Sequence, residues 1–113
     1  MARVAGLHIS TSVNTFCKDL GCGSTWDPAK NAANVRRHGI AFEDAARIFD
    51  GPTVERIDAR FDYGEERIYA IGLVNGIEIT VIYTDRDRDE CHIISAWRSE
   101  PHERRYFWNH LED

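Results

Sequence analysis

The sequence predicts an α+β domain: an antiparallel β-sheet of about four to five strands, packed by two N-terminal helices and one C-terminal helix. Three observations carry this. Asn75-Gly76 separates two runs rich in β-branched and aromatic residues, Tyr63 to Val74 and Ile77 to Thr84. That pair suits a two-residue hairpin turn, which needs φ > 0 at both positions. Asp27-Pro28 reads as a helix start and Gly39 as its left-handed end. The helical segments also come in a run beside the strands rather than alternating with them, which separates the two layers.

The first 24 residues form an N-terminal extension, either loose or contributing a short added strand, and residues 25–113 form the compact domain. Thr25-Trp26 ends that domain's first strand. The first helix follows through Arg36, Arg37 and His38, basic residues that suit the negative end of a helix dipole. Phe42, Ala45, Ala46 and Phe49 then fall at i, i+3, i+4 and i+7, one apolar helical stripe that Asp50-Gly51-Pro52 terminates. Thr53 to Phe61 alternates loosely and reads as an edge strand whose charges discourage further pairing.

The Asn-Gly turn fixes the hairpin register. Val74 faces Ile77, Gly72 Ile79, Ala70 Val81 and Ile68 Tyr83 on an apolar face. Leu73 with Glu78, Ile71 with Thr80, Tyr69 with Ile82 and Arg67 with Thr84 make a mixed face, free to meet water or a ligand. A charged loop, Asp85 to Glu90, leads to a third strand, Cys91 to Arg98. Simple alternation puts Ile94 and Ala96 on the apolar face, and Ile93, Ser95 and Trp97 on the mixed face with Arg67. Ser99 reads as the cap of a C-terminal helix whose apolar residues are Tyr106, Phe107, Trp108 and Leu111.

A chain of 113 residues is large enough for one core without staples. No apolar run approaches the ~18 residues of a bilayer span, and no basic start followed by an apolar run marks a secretory signal. No membrane partner is expected. Three cysteines, Cys17, Cys22 and Cys91, then argue for free thiols in a cytoplasmic protein. Cys17 and Cys22 lack a second pair beyond Cys91-His92, so no metal site and no cofactor are expected. The net charge of −5 is the wrong sign for a protein that simply coats nucleic acid. Eight acids against three arginines between Glu43 and Glu66 account for it, leaving basic clusters on either side: Lys30, Arg36, Arg37 and His38 before, Arg98, His102, Arg104 and Arg105 after.

No phosphate-binding glycine loop, nucleophile elbow or zinc-protease motif is present. The order of short motifs is more informative. Trp26-Asp-Pro-Ala-Lys30, Asn34-Val-Arg-Arg-His-Gly-Ile40, Phe42-Glu-Asp-Ala, Asp62-Tyr-Gly-Glu-Glu-Arg67, Ile93-Ile-Ser-Ala and Glu103-Arg-Arg-Tyr106 together resemble the BrnT family, toxins of type II toxin–antitoxin systems. The resemblance covers Trp26 to about Tyr106; the family usually begins just before the Trp-Asp pair. It implies a fold similar to the RelE-type ribonucleases and RNA cleavage without a metal. It also implies a cognate, BrnA-like antitoxin that neutralises the toxin, with operator DNA contacted only through that antitoxin.

Metal-free RNA cleavage needs cationic donors on a phosphate and groups that move protons. Arg67 and Arg98 are the candidate phosphate ligands, arginine matching phosphate geometry with paired donors. His38 is the candidate proton carrier, although a helix-ending role suits it as well, and Arg67 has an ion pair with a neighbouring acid as its plain alternative. Lys30, Trp97, Arg104 and Arg105 are candidate RNA-binding residues. The family typically has arginine where this chain has Trp97. A bulge that swings Arg98 into the role, a tryptophan that stacks on a base, and a weak or inactive relative that only binds the antitoxin are the three consequences open at this point.

Overall fold

The computed structural model describes residues 7–10, 24–58, 64–86 and 90–111. Six strands form one sheet: β1 (Leu7–Ser10), β2 (Ser24–Trp26), β3 (Thr53–Ile57), β4 (Ile68–Val74), β5 (Ile77–Arg86) and β6 (Glu90–Arg98). Their spatial order is β1-β3-β4-β5-β6-β2. Helices α1 (Pro28–His38) and α2 (Phe42–Ala45) precede β3, and α3 (Pro101–His110) closes the chain.

The class is α+β, as expected, but two strands differ from the expectation. β2 runs parallel to β6, so the sheet is mixed. No turn joins β2 to β6, so nothing imposes a hairpin's antiparallel sense. β1, within the N-terminal extension, pairs antiparallel with β3. That makes β3 an interior strand rather than the edge its charges suggested.

The hairpin has the expected register. Asn75 and Gly76 both have positive φ, 52° and 78°, and β4 meets β5 from Ile68 opposite Tyr83 to Val74 opposite Ile77. The third strand departs from simple alternation. Ser95 faces Ile82 but Ile93 faces Tyr83, so Ile94 is an extra residue in a bulge. Ile93 and Ile94 therefore exchange faces: Ile93 is buried in the core under α2 and the segment that follows it, and Ile94 packs with the cluster under α3. The bulge lies before Trp97 and leaves Arg98 opposite Ile79, on the other face from Trp97.

Both faces of the sheet are covered. Phe42, Ala45, Ile48 and Phe49 pack on Ala70, Val81, Tyr83 and Ile93. Ile48 enters because the chain changes from α2 to a 3₁₀ segment, Ala46–Asp50. Three residues per turn then align Phe42, Ala45 and Ile48, and Ala46 is only partly buried. On the other face Phe107 of α3 packs on Val54, Tyr69, Ile71 and Ile82. The face expected to stay open is thus largely a second core. The acidic stretch is not all solvated either: Glu55 and Asp58 are buried, Glu55 accepting hydrogen bonds from Thr53 (2.6 Å) and Tyr83 (2.7 Å).

Helix α3 starts one residue later than expected. Glu100, not Ser99, is its cap, in a capping box with Glu103, because Pro101 occupies the first helical position. Ser99 is buried and its hydroxyl meets Thr80 at 2.7 Å. Cys91, fully buried, is disulfide-bonded, which corrects the expectation of free thiols for that residue. Cys17 and Cys22 lie outside the described residues.

Gly72 is where the 3₁₀ segment touches the sheet. A Cβ there would stand 2.7 Å from Ile48 Cβ and 3.1 Å from Thr53 Cγ2. Ile48 Cβ cannot swing aside without moving its backbone. Gly72→Ala is expected to destabilise the fold by about 1–3 kcal/mol, the usual range for overpacking. Urea unfolding would show this as a lower midpoint at unchanged slope; an unchanged midpoint would contradict the packing described.

Candidate functional site

Helix α1 is an unusual element: among its residues only Asn34 is buried. Two asparagines tie it down: Asn31 Oδ1 accepts from Phe42 N at 2.9 Å, and Asn34, the more buried, bonds to β6 and to Ile40. Asn34 Nδ2 donates to Ala96 O (2.8 Å) and Ile40 O (2.9 Å), and Asn34 Oδ1 accepts from Ala96 N (3.2 Å). β2 pairs with β6 only as far as Ile93. Beyond it the side-chain amide of Asn34 takes the place of a neighbouring strand and satisfies both backbone groups of Ala96.

This docking presents the last turns of α1 beside β6. Asp27 caps the start, accepting from Ala29 N at 2.9 Å, and Gly39 ends the helix with φ 73° and its N–H on Val35 O. A cleft of about 170 Å³ lies between the two elements, lined by Lys30, Ala33, Asn34, Arg37, His38, Ile94 and Ser95. The bulge at Ile94 shapes the β6 side. Lys30, Arg37 and His38 are all exposed, and among the described residues no carboxylate pairs with any of them. Trp97 adjoins the cleft, its ring centroid 6.1 Å from that of His38 at a tilt of 43°.

Trp97 is fixed from behind. Its Nε1–H donates to both oxygens of Glu103, at 3.0 and 3.3 Å. Glu103 is only 4 % exposed. It also accepts from the Tyr69 hydroxyl, from Thr80 Oγ1 at 3.2 Å and from Glu100 N at 2.7 Å. One carboxylate thus joins β4, β5, β6 and the start of α3.

The other candidates stand elsewhere. Arg67 Nε donates to Glu65 Oε2 at 3.3 Å, the neighbouring ion pair anticipated as its plain alternative. Continuing the β4–β5 register puts Arg67 beside Thr84, whereas Trp97 faces Thr80. At ~3.4 Å per residue and ~4.8 Å per strand this separates Arg67 from Trp97 by about 17 Å. Arg98 is on the opposite face at the far end of the sheet. Arg67 and Arg98 therefore do not converge on one point. Arg104 donates to Ser99 O at 2.8 Å, and Arg105 is exposed on α3. Arg104 and Arg98 both lie near Glu78. That carboxyl is held below its ordinary pKa, first by the Trp108 N–H (2.8 Å) and its own backbone; burial opposes them, and Arg104 and then Arg98 add smaller lowering effects. His92 is at 3.0 Å from the Thr25 hydroxyl and outside the cleft.

The structure thus brings together Lys30, His38 and Trp97 of the candidates and adds Arg37, Ser95, Asn34 and Glu103. Among the described residues no cluster of three His, Cys, Asp or Glu is arranged to hold a metal, and no helix is long and apolar enough to cross a membrane.

The family model described as "Ribonuclease toxin, BrnT, of type II toxin-antitoxin system" matches residues 26–103. This chain belongs to the BrnT family. Its fold is similar to the 1.1 Å crystal structure of the Brucella abortus ribonuclease toxin BrnT, with a TM-score of 0.51 and 25% sequence identity over 67% of this chain and 94% of that one. No curated protein matches it. The BrnT match starts at Trp26, so β1 and the extension that carries it lie outside the family region. It includes every lining residue of the cleft and ends on Glu103.

Proposed function

We propose that this BrnT-family chain is an active endoribonuclease that needs no metal, and that the cleft between α1 and β6 holds the scissile phosphate. The observation that carries this is the meeting of Lys30, Arg37 and His38, none paired with a carboxylate among the described residues, beside a partly exposed indole. The reaction forms a bond from the ribose 2′-oxygen to phosphorus and breaks the bond to the 5′-oxygen. The 2′-hydroxyl proton leaves to a base, a proton reaches the departing oxygen, and a cyclic phosphate and a 5′-hydroxyl result. Lys30 and Arg37 stabilise charge on the phosphate oxygens, and His38 moves a proton. Arg67, Arg98, Arg104 and Arg105, none of which lines the cleft, hold other parts of the RNA chain.

A cognate BrnA-like antitoxin covers the cleft and neutralises the toxin, and it alone contacts operator DNA. Expressed without the neighbouring reading frame, the protein is expected to arrest growth and degrade RNA; co-expression of that frame restores growth. Soluble, folded protein with intact RNA and normal growth would defeat this reading.

A second reading has one observation in its favour. Trp97 stands where the family typically has arginine, and the structure does not swing Arg98 onto its face. In that reading the chain is a weak or inactive relative that still binds the antitoxin. Trp97→Arg separates the two: a harmless wild type with a toxic variant supports the degenerate relative, and a toxic wild type little changed by the substitution supports the ribonuclease.

A further inference from the structure

We propose that Trp97, held by Glu103, forms a nucleobase subsite: the indole is a shelf for one unpaired base of RNA, next to the phosphate in the Lys30–Arg37–His38 cleft. The inference rests on the ribonuclease reading of that cleft and adds its substrate preference, single-stranded RNA with a base free to unstack.

The plain alternative is that Glu103 only completes the capping box of α3. The geometry exceeds what a cap needs. A capping box requires one carboxylate oxygen on the Glu100 N–H, and Glu103 Oε1 supplies it at 2.7 Å. Glu103 Oε2 accepts from the Tyr69 hydroxyl, and both oxygens receive the Trp97 indole N–H. Three strands thus brace one carboxylate, and that carboxylate braces one ring.

A rigid ring suits stacking, because nothing need be ordered when the base arrives. The rest of the indole is partly exposed. It is tilted 43° from the imidazole of His38, so the two rings touch without stacking on each other. Cations flank it in the cleft. An aromatic platform beside a cationic groove is how proteins hold single-stranded RNA, and stacking accepts any base because every base has a π-face. Ser95, on the same strand and face as Trp97, lines the cleft beside it. Glu103 is thus a positioning residue, acting on RNA through Trp97.

The test moves an abasic nucleotide step by step through a single-stranded RNA oligonucleotide and measures kcat and KM with the full-length protein. In wild type, one position next to the cut should lose roughly 10-fold in kcat/KM, the size of one base–aromatic stack. Trp97→Leu should be insensitive to the abasic residue at that position, and Trp97→Phe should keep part of the penalty. Glu103→Gln should shrink it mainly through KM. These Trp97 variants leave the carboxylate and the helix cap in place, so they read the shelf even if Glu103→Gln folds poorly. A Glu103→Gln protein with a lower Tm but the full abasic penalty would reduce Glu103 to a cap. A cleaving wild type with no position-specific penalty overturns the subsite alone. A wild type that cleaves no RNA overturns the ribonuclease reading and the subsite with it.

Discussion

His38→Ala is expected to lower RNA cleavage by about 10²–10⁴-fold in kcat while leaving the protein folded. The two halves of that statement have different origins. His38 is the last residue of α1 and exposed, and its ring makes no hydrogen bond to the protein among the described residues. The helix end is closed by the Gly39 N–H on Val35 O at 2.8 Å, which the substitution leaves alone. A charge in the last turn contributes only about 0.3–1 kcal/mol through the helix dipole. The rate effect comes from removing the one imidazole among the described residues that line the cleft, the group assigned the proton transfer, while Lys30 and Arg37 are assigned the phosphate charge. Lys30→Ala and Arg37→Ala should behave differently. Each should bind RNA more weakly and show a shallower dependence of affinity on salt, by about 0.7 in the log–log slope for each phosphate of a single strand that is no longer neutralised. Circular dichroism and oligonucleotide cleavage on the same samples decide the matter. A folded His38→Ala protein with wild-type kcat would remove His38 from the reaction and leave the cleft as an anion-binding surface only.

The contrast between what the sequence made legible and what it hid is physical. The hairpin register was readable because Asn75-Gly76 admits few turns, and the turn dictates every pair up the ladder. The limits of α1 were readable because Asp27, Pro28 and Gly39 act locally. The exchange of Ile93 and Ile94 was not: both are β-branched, both suit either face, and nothing local marks a bulge between them. The mixed face misled for a related reason. Tyr69 and Thr80 look like surface residues, and the carboxylate that satisfies them, Glu103, comes from a different element. A signal for Glu103 did exist in its spacing three residues after Glu100, ahead of an aromatic run, which is capping-box spacing. Arg67 and Arg98 were paired by residue type. Their separation followed from strand direction, since Arg67 precedes the start of β4 and Arg98 ends β6, which runs the same way.

The largest stability effect is expected at Asn34, from an isosteric change. Asn34→Asp keeps the oxygen that accepts from Ala96 N but loses the amide hydrogens on Ala96 O and Ile40 O, 2.8 and 2.9 Å away. A carboxylate oxygen would then face two carbonyl oxygens at a site only 7 % exposed. An uncompensated buried charge costs about 3–5 kcal/mol, a large part of the ~5–15 kcal/mol that holds a domain together. The sign of the pH dependence follows. Burial and the facing carbonyls raise the carboxyl's folded-state pKa above its unfolded value of about 3.9. The protonated acid can donate to one carbonyl, so the lost stability is partly recovered below about pH 3.9 and is lost again as pH rises through the folded-state pKa. The gap between variant and wild type in urea unfolding should therefore widen from acid toward neutral pH. Activity should fall together with stability, because Asn34 is the buried anchor of α1 and α1 carries Lys30, Arg37 and His38. A small, pH-independent gap would mean that α1 is held by something other than this amide, and the cleft would lose its proposed scaffold.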